Sequence, residues 1–336
     1  MFSRASRPPV DPVRWQAPPI EPLPQFPAPV PTLVRIPGGE PEDIVVDADG
    51  QLWTGALDGG IVRLARDGGT TVVANTGGRP LGLSFAADGR LLVCDSPRGL
   101  LAVDTGTGRI ETLVDRIGGR PLQFCSNVTQ TADGAVYFTE STSAFTVAHY
   151  LGAILEARGR GALHRLGPDG AVTTLFDGLY FANGLTPTTD GSALVFAETQ
   201  GRRLSKYWLT GPRAGSVTPL VENLPAMPDN LSTGADGRIW CAMVTPANPL
   251  ADRLAAGPPV LRKVVWGLPD SLKPKPESVV WAVAFDPDTG DAVAGLRTTH
   301  PSFDMVTGLV EADGRLWMGS IGGPYLGSVD LADTRL

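Results

Sequence analysis

The chain is poor in the residues that usually announce a function. Three cysteines (Cys94, Cys125 and Cys241) stand among 336 residues with no CxxC pair, which argues against a disulfide framework and against a thiolate zinc site. Histidine is nearly as scarce, with His149, His164 and His300 scattered through the chain. No stretch approaches the 18 apolar residues of a membrane span. A net charge of −7 excludes a nucleic-acid grip built on neutralising many phosphates. The early arginines are not followed by an apolar segment, so the sequence predicts no secretory signal and a cytoplasmic protein. It does not predict the oligomeric state.

What the chain has in abundance is turn formers, 41 glycines and 31 prolines. Twelve of the prolines fall in the first 41 residues, and residues 1–31 read as an extended arm laid along a body. Beyond the arm one pattern recurs: an apolar alternating run, Asp-Gly, then a second apolar run. It appears at 42–55, 81–94, 126–139, 183–197, 229–242 and 306–319. Asp-Gly between alternating hydrophobics is a hairpin signal, because glycine accepts the positive φ of the turn. The turn glycines Gly50, Gly89, Gly134, Gly191, Gly237 and Gly314 are 39, 45, 57, 46 and 77 residues apart. A period of about 40–45 residues is one four-stranded propeller blade.

The expected fold is therefore all-β, a six-bladed β-propeller over 32–336, with short helical insertions in blades three and five filling the two long gaps. The helices are predicted at 145–158, with Val147, Ala148, Leu151, Ile154 and Leu155 on one face, and around Leu261, Val264, Val265 and Leu268. They read either as lids over the channel or as covers for blade edges. The last repeat offers three strands, so residues 32–36 are expected to supply the fourth and close the ring.

In a propeller, residues at one repeat position converge on the axis. Eight residues before each turn glycine stand Glu42, Leu81, Ser126, Asn183, Asp229 and Val306; one position later stand Asp43, Gly82, Asn127, Gly184, Asn230 and Thr307. Glu42, Asn127, Asn183 and Asp229, with Asp43 and Asn230 beside them, offer hard oxygens from four blades. Asn127 lines up only after a shift of one residue. Carboxylates with amide oxygens, and no His or Cys, favour Ca²⁺ over zinc.

The stretches PEDIVVDADG (41–50), YFTESTS (137–143), LEARGRGALHRLGPDG (155–170), DGLYFANGL (177–185), LSKYWLTGPRAG (204–215), NLPAMPDNLS (223–232) and RLWMGSIGGPYLGSVDL (315–331) resemble the strictosidine-synthase-like branch of the propeller superfamily that also holds the gluconolactonase and paraoxonase families. The resemblance covers the chain from about residue 32 onward. It implies a catalytic calcium held by Glu42, Asn127, Asn183 and Asp229, with Asn230 as a further ligand. Strictosidine synthases carry a catalytic glutamate where this chain has Thr307, which argues against amine condensation. Paraoxonases have a histidine near the position of Leu81. They also place an acidic residue where Val128 stands for a second calcium, so one Ca²⁺ is expected here.

The expected reaction is hydrolysis of a small-molecule lactone or ester, with calcium polarising the carbonyl. Asp229 is either general base or ligand only. Cys125 reads as a packed apolar residue, since no histidine is placed to activate it. Leu81, Phe124, Phe181 and Thr307 are the expected substrate-binding residues, the first three forming an apolar wall or else ordinary core. The rival expectation is a calcium-stabilised binding module without activity.

Overall fold

A computed structural model describes residues 7–273 and 275–336; the first six residues of the expected arm and Pro274 lie outside the described residues. Six four-stranded antiparallel sheets form the blades of a propeller. Blades one to five each run through the sequence from the innermost strand outward, and the innermost strands are Ile44–Val46, Arg79–Phe85, Cys125–Gln130, Ala182–Pro187 and Ala226–Thr233. Blade six starts at Val306–Ala312, and its outermost strand is Thr32–Arg35 from the other end of the chain. That strand pairs antiparallel with Tyr325–Asp330 in the register Thr32↔Ser328 to Arg35↔Tyr325. The ring thus holds its first and last segments in one sheet, which leaves no inter-blade edge open.

All six turn glycines have positive φ, from 67° at Gly191 to 90° at Gly237. The turns are of two kinds. In blade six Ala312 pairs with Arg315, and Asp313 (φ 50°) and Gly314 (φ 72°) form the two-residue turn that the dipeptide suggests. Blade one is wider: Asp47 N–H donates to the Gln51 carbonyl and Gly50 N–H to the Asp47 carbonyl. There the Asp47 carboxylate accepts from the Asp49 and Gln51 amides and from the Trp53 indole. The aspartate at the head of that turn does the work expected of the one before the glycine.

A second regularity is invisible in the hydrophobic pattern. The innermost strands of blades two to six each carry an irregularity at the axial position, between Pro80/Leu83, Cys125/Val128, Ala182/Leu185, Pro228/Leu231 and Val306/Leu309. A bulge releases two successive residues from the ladder and re-aims their side chains. Ring closure needs backbones close together at that level. A Cβ added to Gly184 would lie 2.5 Å from the Asp229 carbonyl oxygen, and one on Gly82 2.5 Å from the Asn127 Cα. Below this level, apolar clusters fill each seam between neighbouring blades, for example Phe138 with Leu92 and Leu100, and Trp281 with Val195 and Leu204.

The insertions are helical. Between the second and third strands of blade three, a 3₁₀ turn (Val147–His149) leads into α1 (Tyr150–Glu156). Val147, Leu151, Ile154 and Leu155 face inward, as the periodicity predicts, but Ala148, expected on the same face, is exposed. Between the corresponding strands of blade five lie α2 (Pro249–Ala256) and α3 (Pro259–Gly267). Helix α2 was not anticipated; its signals are the cap Asn248, whose Oδ1 accepts from the Leu250 and Ala251 amides, and Pro249 at the first turn. The face expected for α3 is corrected: Leu261 and Val264 are exposed, while Arg262 and Trp266 are buried. Among the described residues no helix is long and apolar enough to cross a membrane.

The arm ties these helices together. Val13 N–H donates to the Glu156 carbonyl (3.0 Å) and Trp15 N–H to that of Ala255 (3.1 Å). The Trp266 indole donates to the Pro8 carbonyl (2.9 Å). Arg262, 1% exposed, donates to the carbonyls of Leu155 (2.9 Å) and Val13, so one guanidinium joins α3, α1 and the arm. Farther along, Phe26 packs into the seam of blades four and five.

Candidate functional site

The bulges deliver the axial side chains into one buried network. Asn183 Nδ2 donates to Asp229 Oδ1 at 2.6 Å, Asn127 Nδ2 to Asn230 Oδ1 at 2.9 Å, and Asn230 Nδ2 to Glu42 Oε1 at 3.2 Å. Blades one, three, four and five therefore meet at the axis. The bulge in blade three frees both Ser126 and Asn127: the Ser126 hydroxyl donates to Asn183 Oδ1 at 3.0 Å while Asn127 reaches Asn230. In blade three both register positions thus reach the axis, Ser126 at the unshifted one and Asn127 one residue on.

Asp43 sits in the same cluster. Its carboxylate accepts from the Ile44 and Leu83 amides, both at 2.9 Å, which anchors blade one to blade two. Glu42, Asp43 and Asp229 are all buried. Loss of solvent, and the charges of Asp229 and Asp43, push the Glu42 carboxyl well above the usual range. Burial pushes Asp43 and Asp229 each up to about 7. Glu42 Oε2 is buried with no hydrogen-bond partner. Such an orphaned carboxylate oxygen, in a ring of carboxylates and amides, fits a hard divalent cation, which would restore the missing positive charge. Glu42, Asp229, Asn127, Asn183 and Asn230 are the residues that could hold such an ion.

Thr307 is buried. Its hydroxyl donates to the Glu42 carbonyl at 2.5 Å, so it fixes the backbone of a ligand candidate. Leu81, Phe124 and Phe181 do come together, buried under Phe145, Leu155, Trp266 and Val10. Phe124 and Phe181 meet edge to face, centroids 5.4 Å apart at 83°. The helices and the arm therefore form an apolar cap on these three residues. Cys125 is fully buried and its thiol is pushed up, which disfavours it as the nucleophile of a hydrolytic reaction.

Arg79 is a component that sequence reasoning missed. It is 5% exposed, its Nη1 has no partner, and Glu42 heads the charges acting on it. A buried arginine beside two acidic blades is legible only once the ring is closed.

Two family models match the chain, strictosidine synthase over residues 127–212 and the strictosidine synthase-like N-terminal region over 32–64. Strictosidine synthase-like 4 of Arabidopsis thaliana is 30% identical over 298 residues, covering 87% of this chain and 79% of its own. The adipocyte plasma membrane-associated protein of Salmo salar is 32% identical over 324 residues, covering 87% and 76%. Among solved structures, a gluconolactonase of Xanthomonas campestris superposes with a TM-score of 0.63 at 18% identity, covering 97% and 99%. Regucalcin of Agrobacterium tumefaciens, described as calcium-binding, gives 0.60 at 17%, covering 93% and 95%. The structures match in fold; the sequence relatives, with the motifs already quoted, decide the family. The chain belongs to the strictosidine synthase-like family of six-bladed β-propellers.

Proposed function

We propose that the protein is a calcium-dependent hydrolase of apolar lactones or esters. The observation that carries this reading is the axial cluster, in which Glu42, Asp43 and Asp229 are buried together and Glu42 Oε2 has no partner. Bound there, a calcium ion supplies Lewis-acid polarisation of a carbonyl oxygen and stabilises the negative charge that develops on it. The names of the two structural neighbours, a gluconolactonase and a calcium-binding regucalcin, are in keeping with this chemistry.

The chain's own residues take the remaining roles. Asp229, whose Oδ1 accepts from the Asn183 amide at 2.6 Å, would accept a proton from the attacking water. Asn183 is itself fixed by Ser126 and by Thr199, whose hydroxyl donates to the Pro228 carbonyl. Leu81, Phe124 and Phe181 exclude bulk water and favour an apolar acyl or aryl group over a sugar acid. Thr307, at the position where the resemblance puts the condensation glutamate, argues against amine condensation.

The test is Asp229→Asn, assayed on phenyl acetate and a panel of alkyl lactones at calcium concentrations that fill the site. A loss of roughly 10²–10⁴-fold in kcat is expected if Asp229 moves the proton. Near-wild-type turnover would reduce Asp229 to a ligand. No turnover by the calcium-loaded wild type on any member of the panel would favour the binding module instead.

A further inference from the structure

Cys94 and Cys125 are 31 residues apart with no motif around them, yet their sulfurs lie 2.7 Å from each other. Cys94 is on the second strand of blade two and Cys125 opens the innermost strand of blade three. Both are fully buried in the seam between those blades, among Leu92, Leu100, Val128 and Phe138. The separation is inside van der Waals contact for unbonded sulfurs and about 0.7 Å beyond an S–S bond.

We propose that Cys94 and Cys125 are a redox modification site, a thiol pair that oxidises to a disulfide stapling blade two to blade three beside the axial site. The oxidant is a low-molecular-weight disulfide. One cysteine, as thiolate, attacks it, forming a mixed disulfide and releasing one small thiol. The second cysteine, as thiolate, then displaces the other small thiol, leaving one protein S–S bond and two small thiols, which take up the two protons given up by the cysteines. Burial keeps both sulfurs from solvent, so exchange is slow while the seam is shut and the finished bridge is shielded from reductant. Cys125 is followed by the bulge residues Ser126 and Asn127, so the staple braces the backbone from which two members of the axial network project. The proposal stands independently of the hydrolase reading, since its assay counts thiols.

The experiment incubates the full-length protein with oxidised glutathione at pH 8.5, a few degrees below its melting midpoint, then unfolds it in guanidinium chloride with iodoacetamide. Intact mass and peptide mapping count the alkylated cysteines. One alkylated cysteine, Cys241, and a Cys94–Cys125 cross-linked peptide are expected, with a midpoint raised by roughly 5 °C over the reduced protein. Cys241→Ser should bridge equally well, whereas Cys94→Ser should leave Cys125 as a free thiol or a glutathione adduct. Three alkylated cysteines after incubation, glutathione adducts without a cross-link in the wild type, or a bridge that includes Cys241 would overturn the proposal. A bridged protein melting no higher than the reduced one would overturn the staple.

Discussion

Removing a buried charge from the axial site should stabilise this protein when no cation is present. The perturbation is Asp229→Asn, which keeps an oxygen that can accept from the Asn183 amide and deletes one of three clustered carboxylates. Burial lifts the Asp229 carboxyl from 3.8 to about 7. That gap is worth about 4 kcal/mol against the folded, ionised state. Because the folded value is the higher, the native state keeps its proton where the unfolded chain has lost it. Stability therefore falls as pH rises from about 4 to about 7, and the full penalty is present above 7. The substitution also removes a charge that raises Glu42. In EDTA at pH 7.5 the variant should be the more stable by up to about 4 kcal/mol, with the gap closing toward pH 4. Calcium should narrow that gap, since a ligand at 100 times its Kd stabilises wild type by about 2.7 kcal/mol. Urea titrations followed by tryptophan fluorescence at pH 4.5, 6 and 7.5 read all of this. A variant less stable than wild type in EDTA at pH 7.5, or a gap independent of pH, would refute the electrostatic account.

Three further outcomes are expected. Gly184→Ala would put a Cβ 2.5 Å from backbone atoms of blade five, so a loss of about 2–3 kcal/mol in urea melts and weaker calcium binding in calorimetry should follow. Phe124→Ala opens the apolar wall and should cost about 3–5 kcal/mol, with KM for aryl and long-chain esters rising more than for acetyl esters. Arg262→Met removes the tie between α1, α3 and the arm; limited proteolysis should then cut the arm at residues 8–20 much faster than in wild type, with the blades intact.

The repeat was legible because each blade carries its own local turn chemistry, and Gly50 or Gly314 needs no partner blade to declare itself. The axial residues could be picked by counting back from those glycines, which brought out Glu42, Asn183, Asp229 and Asn230. Features that depend on neighbouring blades were not legible. The bulge that lets Ser126 and Asn127 both point inward arises from ring closure and leaves no mark on the hydrophobic alternation. Arg79 and the Cys94–Cys125 pair are likewise products of one blade facing the next. Sequence periodicity found α1, where an apolar face meets the cap. It placed Val265 on the inward face of α3 but misjudged Leu261 and Val264, since that face is completed by Trp266 and the buried Arg262.

The most direct test of the central claim is to titrate calcium into EDTA-stripped protein while measuring, in one sample, bound metal per chain and turnover of an apolar lactone. One calcium per chain, with turnover rising in proportion to occupancy and both abolished by Glu42→Gln at the same calcium concentration, is the predicted result. Full turnover in EDTA, or calcium binding unaffected by Glu42→Gln, would contradict it.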